Sequence, residues 1–218
     1  MDKVNRTVYQ CWTGSNPMSD DRRACFEQGV RNIAVPVKLV TPENLHEFVV
    51  PEHPLHPAYE YLTPTQKSDY LRVYIPHFHG GGYADVKWYT KDNNWNHAFD
   101  ILDSDPEVDV VGVWDNNVGG ANPGYARATI ARDILVVCFM AMRPRTEFTT
   151  TWLKSVEAYM TVMQKQLERS AAGLEPYPIP WTGLSLHVHS TCREIAARRP
   201  HAISKELVSG WDRGVKYR

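Results

Sequence analysis

The residues best suited to chemistry lie in one stretch of the chain. Lys67-Ser68-Asp69-Tyr70-Leu71-Arg72 is followed by Gly80-Gly81-Gly82 and then by Tyr83-Ala84-Asp85-Val86-Lys87. Asp69 and Arg72 stand three apart, so a helix puts both on one face, where they can meet the same pocket. There Asp69 would accept hydrogen bonds from ribose or base groups, and Arg72 would meet a phosphate or a carboxylate. An internal ion pair between them is the alternative. Asp85 is expected at the C-terminal end of a strand, where open α/β sheets bind ligands. One carboxylate there, with diphosphate oxygens and water, suits a hard divalent ion. A strand-end cap is the alternative for Asp85. Lys87 cannot ligate a metal while protonated, but its charge would favour a departing diphosphate.

Other candidates are spread through the chain. Asp115-Asn116-Asn117 follows the apolar run 108–114. Asp115 is the first choice of general base toward an acceptor hydroxyl, with a turn-forming Asx cluster as the alternative. Asp133 is a second candidate base, and the loop Gly119-Gly120-Ala121-Asn122-Pro123 could carry the acceptor. His187 and His189 would share one side of a strand but diverge on a helix. His77 and His79 read as helix-end residues, where an imidazolium is comfortable. Tyr9, Trp12, Trp88 and Trp181 are candidate stacking platforms, with core packing the alternative for each.

These residues need elements to hold them. Residues 7–12 read as a first strand ending at the turn Thr13-Gly14-Ser15-Asn16-Pro17. A helix over 19–28 and a second strand over 32–40 follow. Thr41 is expected to cap a helix with Pro42 in its first turn. Residues 51–57 read as a loop, and 65–76 have the apolar spacing of a buried helix. Three glycines end that helix and let the next strand start in tight contact with it. Helices over 96–102, 147–170 and 184–197, and strands over 108–114 and 134–142, complete the pattern, with irregular chain after Pro200. Strand-length apolar runs alternating with helices predict an α/β domain with a mostly parallel sheet flanked by helices.

Composition narrows the class. The chain of 218 residues suits one domain, complete or cut from a larger protein. Lys and Arg number 24 against 25 Asp and Glu, which argues against broad nucleic-acid binding, since that needs a basic surplus. No run approaches the roughly 18 apolar residues of a membrane span. The N-terminus lacks the apolar core of a secretory signal, so a cytoplasmic protein is expected. The four cysteines form no CxxC pair and read as reduced thiols. Neither GxGxxG nor GxxxxGK[ST] occurs, which removes the usual dinucleotide and P-loop signals.

The combination Ser68-Asp69, Leu71-Arg72, Gly81-Gly82-Tyr83 and Asp85-Val86-Lys87 resembles glycosyltransferases of the GT-A fold. It is most similar to the group related to capsular-polysaccharide synthesis and initiating α-mannosyl transfer. Within the fold, the chain resembles the rhamnose-transferring domain of chlorella-virus enzymes that build capsid glycans. The resemblance runs through residues 5–192. It implies a UDP-sugar donor, UDP-L-rhamnose or UDP-glucose, a glycan acceptor, an inverting transfer and a manganese or magnesium ion. An imidazole ligand would favour manganese. It also implies that the first strand, with Tyr9, Gln10 and Trp12, lines the nucleotide site. Pro178-Ile179-Pro180-Trp181-Thr182, His187 and His189 look like the family's late active-site segment, and His189 is the candidate second metal ligand. A viral source would place the enzyme in host cytoplasm. The sequence departs from the family at Lys87, where the family's short Asp-x-Asp element has its second acid. A non-catalytic carbohydrate- or nucleotide-binding module is the competing expectation. A metal-dependent phosphoryl-transfer or hydrolysis enzyme is a third.

Overall fold

A computed structural model describes residues 3–89, 93–114 and 135–208. The strands are β1 (Val8–Cys11), β2 (Val37–Val40), β3 (Gly81–Ala84), β4 (Val110–Trp114), β5 (Leu135–Met142) and β6 (Ile203–Ser204). The helices are α1 (Asp20–Ile33), α2 (Pro64–His79), α3 (Trp95–Ser104), α4 (Glu147–Ala171) and α5 (His187–Arg198). The strands form one sheet in the order β2-β1-β3-β5-β4-β6. β5 runs antiparallel to both neighbours, and the other described pairings are parallel. The fold is therefore a mixed α/β sandwich with a central sheet flanked by helices, as the alternating pattern predicts. Among the described residues, no helix is long and apolar enough to cross a membrane.

The strands divide their side chains between two cores with a period of two. Tyr9, Tyr83, Val110, Met140 and Met142 face one core with residues of α2, α4 and α5. Val8, Ala84, Val111, Phe139 and Ala141 face the other with Ile33 of α1 and Trp95, Phe99 and Leu102 of α3. Each fully buried large side chain contributes about 1.5–3 kcal/mol by leaving water.

The helix that carries the candidate residues has strong local signals. Thr63 caps α2 in a reciprocal capping box with Gln66, Pro64 fills the first turn, and Gly80 ends it at φ 66°. The next two glycines are sterically required. A Cβ on Gly81 would lie 2.4 Å from the Thr7 carbonyl oxygen, and one on Gly82 would lie 2.8 Å from the Trp95 ring. Their absence lets β3 lie against β1 and α3, which fixes where Asp85 emerges.

Four expectations differ from the structure. The second strand spans only Val37–Val40, because α1 runs on to Ile33 and stops at Ala34, whose φ is 57°. Ile33 is buried in the core as part of the last turn of α1. Thr41 caps no α-helix. Asn44 folds back instead, accepting from the Thr41 amide at 2.8 Å and donating to the Leu39 carbonyl at 2.9 Å, and only a short 3-10 turn, Leu45–Glu47, follows. Residues 200–204 are not irregular: a 3-10 turn, Pro200–Ala202, leads into β6 on the sheet edge. His77 is not an imidazolium-type helix end. Burial, reinforced by Arg145, pushes it down to about 4, and its Nδ1 lies 2.9 Å from the Thr149 hydroxyl. His79 sits at the same helix end, with Nε2 2.9 Å from the Phe48 carbonyl.

Candidate functional site

The buried face of α2 aims Arg72 at the point where β3 ends. Its guanidinium lies 2.6 Å from Asp69 and 3.6 Å from Asp85, and donates to the Val137 carbonyl of β5 at 2.8 Å. It also stacks on the Tyr83 ring, 4.8 Å from its centroid. Its Nε has no hydrogen-bond partner among the described residues. Lys87 approaches from the other side, with Nζ 2.9 Å from Asp85 and 3.1 Å from the Cys138 sulfur. The Tyr83 hydroxyl donates to Asp85 at 2.8 Å. The Asp85 backbone is held as firmly. Its amide donates to the Cys138 carbonyl at 2.9 Å, and its carbonyl accepts from Gln10 at 2.9 Å and Tyr89 at 2.7 Å.

The charges respond to this crowding. Burial alone would raise Asp85, but Lys87, Arg72 and the Tyr83 hydroxyl outweigh it and hold the carboxyl well below its ordinary range. Burial would lower Lys87, but Asp85 and its hydrogen bonds raise it, so the ammonium stays charged. Arg72 likewise stays charged, because Asp69, Tyr83 and Asp85 outweigh its burial. Asp69 goes the other way. Burial, with Asp85 adding to it, pushes Asp69 up to about 6 against the pull of Arg72. Burial also pushes the thiols of Cys11 and Cys138 up to about 12, so both are neutral near pH 7.

Above this floor lies a cleft of about 330 Å³ lined by β1 and the turn after it, by the first turns of α2, and by the segment after β3. Trp12, Thr13 and Asn16 form one wall, and Pro64, Thr65 and Ser68 another. Arg22 also lines it, with Nη1 donating to the Val86 carbonyl at 2.8 Å. Among the described residues of the lining, Arg22, Arg72 and Lys87 are positive and Asp85 is negative. The N-terminal end of α2 adds its partial positive charge on the same side.

The expected site residues separate into groups. Arg72, Asp85, Lys87 and Trp12 come together at the cleft. Asp69 does not line it: 3% exposed, it forms the ion pair weighed as the alternative and positions Arg72. Gln10 is fully buried behind Asp85, where it braces the backbone. Tyr9 is a core residue, its ring edge-on to Phe48 and its hydroxyl 2.9 Å from Asn5. Both faces of β1 are covered and α2 lies deep, so these polar groups turn inward. Trp88 is half-buried and outside the lining. Trp181 is 70% exposed, on a segment tied to the α2 start by Gln66, which donates to the carbonyls of Ile179 and Pro180. His187 and His189 both lie on α5, so they diverge. His187 faces α4, 2.7 Å from the Ser155 hydroxyl. Asp115, the loop 119–123 and Asp133 lie outside the described residues.

Arg22 in the cleft lining and Cys138 against Lys87 escape sequence reasoning. Arg22 sits in a charged first turn that reads as a solvated helix face, and Cys138 sits inside an apolar run. Nothing local marks either; the contacts arise only when distant segments meet.

A divalent ion bound by Asp85 would lie about 2 Å from a carboxylate oxygen. One oxygen of Asp85 takes Tyr83 and faces Arg72, and the other takes Lys87. At an effective dielectric of about 20, two unit charges about 4 Å apart interact by about 4 kcal/mol, and a divalent ion doubles the repulsion from each neighbouring cation. The residues around Asp85 therefore do not fit a divalent ion. His189, the expected second ligand, is not part of the lining. Among the described residues, no group of three His, Cys, Asp or Glu side chains could hold a metal.

No protein-family model matches the chain, and no curated protein matches it. The chemistry of the cleft must therefore carry the functional reading.

Proposed function

We propose that the chain is a glycosyltransferase that binds a nucleoside-diphosphate sugar in this cleft and transfers the sugar to a glycan hydroxyl. The observation that carries the reading is the cation-rich lining beyond β1 and β3 among the described residues, where Arg72 and Lys87 flank Asp85 and Arg22 lines the same cleft. Strand ends of this kind are where α/β sheets take their ligands. The similarity to GT-A glycosyltransferases at Ser68-Asp69, Leu71-Arg72 and Asp85-Val86-Lys87 adds to it. UDP-L-rhamnose and UDP-glucose are the donors to test first.

In this reading the diphosphate lies against Arg72 and Lys87, and Trp12 offers its ring to the base. Negative charge grows on the diphosphate as the anomeric bond breaks, and the preorganised cations stabilise it. Asp115 takes the proton of the acceptor hydroxyl, and a single displacement inverts the anomeric centre.

Calorimetric titration of the purified chain with UDP, GDP and CMP, each with and without manganese, tests the donor assignment. Tight UDP binding with weak binding of the others is the expected result. UDP release from a UDP-sugar that depends on a glycan acceptor then separates the enzyme from a non-catalytic binding module, which would bind and release nothing. No nucleotide binding in any condition would remove the assignment.

A further inference from the structure

We propose that the cleft holds the donor's diphosphate without a divalent cation, the Lys87 ammonium taking the counter-charge position beside Asp85 and Arg72. This rests on the donor-cleft reading above and goes beyond it, since the family resemblance implies a metal. Three observations carry it. Lys87 stands 2.9 Å from Asp85 Oδ2, so the carboxylate already holds a cation on the side where a metal would bind. Asp85 Oδ1 is occupied as well, by the Tyr83 hydroxyl at 2.8 Å and the Arg72 guanidinium at 3.6 Å. Among the described residues, the charged lining of the cleft is Arg22, Arg72 and Lys87 against Asp85, an electrostatic match for an anion and a mismatch for a second cation. The buried Arg72 also keeps an Nε–H that no described residue satisfies. Asp85 is thus a positioning residue: it orients Lys87 and Arg72 toward the ligand rather than ligating a metal itself.

The test is calorimetry with UDP, uridine and inorganic pyrophosphate, each in EDTA and in manganese. The wild-type chain is expected to bind UDP and pyrophosphate in EDTA, with no gain in affinity from manganese. Lys87→Ala should weaken both ligands at least about tenfold and leave uridine unchanged, while Lys87→Arg recovers most of the loss. A thermal melt of each variant checks that it folds. Lys87→Asp supplies a second measurement: the new acid should make UDP binding weak in EDTA and restore it with manganese. Wild-type binding of UDP only in manganese would overturn this inference and leave the nucleotide reading standing. Binding of pyrophosphate but not UDP in EDTA would support the cation-free anion site and remove the nucleotide reading. Failure of both ligands in both conditions would overturn the inference and the reading together.

Discussion

Two ionic clusters sit at opposite ends of the sheet, and they are built from the same residue types. At the C-terminal end of β3, Asp85 meets Arg72 and Lys87. At the start of β4, Asp109 meets Arg199 at 3.2 Å, and Arg199 reaches Glu147 at 3.4 Å. The second cluster is a joint. Asp109 accepts from the Phe148 amide at the start of α4, and Arg199 caps the end of α5, so the two helices and β4 are tied at one point. Acids outnumber bases there, with Asp109, Glu107 and Glu147 against Arg198 and Arg199, and Asp109 is buried. In the first cluster Arg72 and Lys87 balance Asp69 and Asp85, the open volume above adds Arg22 to its lining, and the Arg72 Nε has no partner among the described residues. The difference teaches that a buried ion pair alone says little about function; surplus charge beside an accessible space says more.

The largest effect that would sharpen this contrast is expected from Arg72→Met. It strands Asp69 and Asp85 without their shared cation, so stability should fall by about 3–5 kcal/mol in urea denaturation. UDP binding should be abolished as well. Intact UDP affinity in that variant would break the contrast, since Arg72 would then be as structural as Arg199. Asp109→Asn should cost about 2 kcal/mol of stability, because it removes the charge that Arg199 and the α4 amide share. Its UDP affinity should match wild type when measured below the melting range, and a large loss of affinity would erase the division of labour.

The smallest effect concerns Asp69. Its carboxyl is raised to about 6, so it is charged above that pH and neutral below it. Protonation removes a negative charge beside Arg72 and leaves the cleft more positive. UDP-glucose binding should therefore strengthen roughly threefold as the pH falls from about 7.5 to about 5.5. UDP-glucose suits this measurement because its diphosphate has no terminal phosphate titrating near pH 6. Asp69→Asn should bind with the stronger affinity throughout and show a flat profile. An unchanged slope in the variant would assign the titration to another group.

The framework of the site is legible in the sequence wherever the signal is local. The apolar spacing of residues 65–76 and the glycines at 80–82 place α2 to within a turn and the start of β3 after it. Asp85 is placed just past its strand for the same reason. Direction is less legible: Gln10 and Asp69 are polar groups on recognised elements, yet both turn inward, and only packing decides that. Arg22 meets Val86, and Lys87 meets Cys138, through contacts between distant segments that no spacing rule anticipates. The α1 boundary fails for a related reason, since Ile33 is strand-like by type but helical because of the core it fills.

The reversed strand β5 has one further consequence. Because it runs against its neighbours, it brings its opening residues to the end of the sheet where β3 finishes. Val137 and Cys138 thus offer backbone carbonyls to Arg72 and to the Asp85 amide from within a paired strand, not from a loop. The anchors of the cleft floor are already ordered before any ligand arrives. Docking an anion there demands little further loss of conformational freedom, so a larger share of each contact is expressed as affinity.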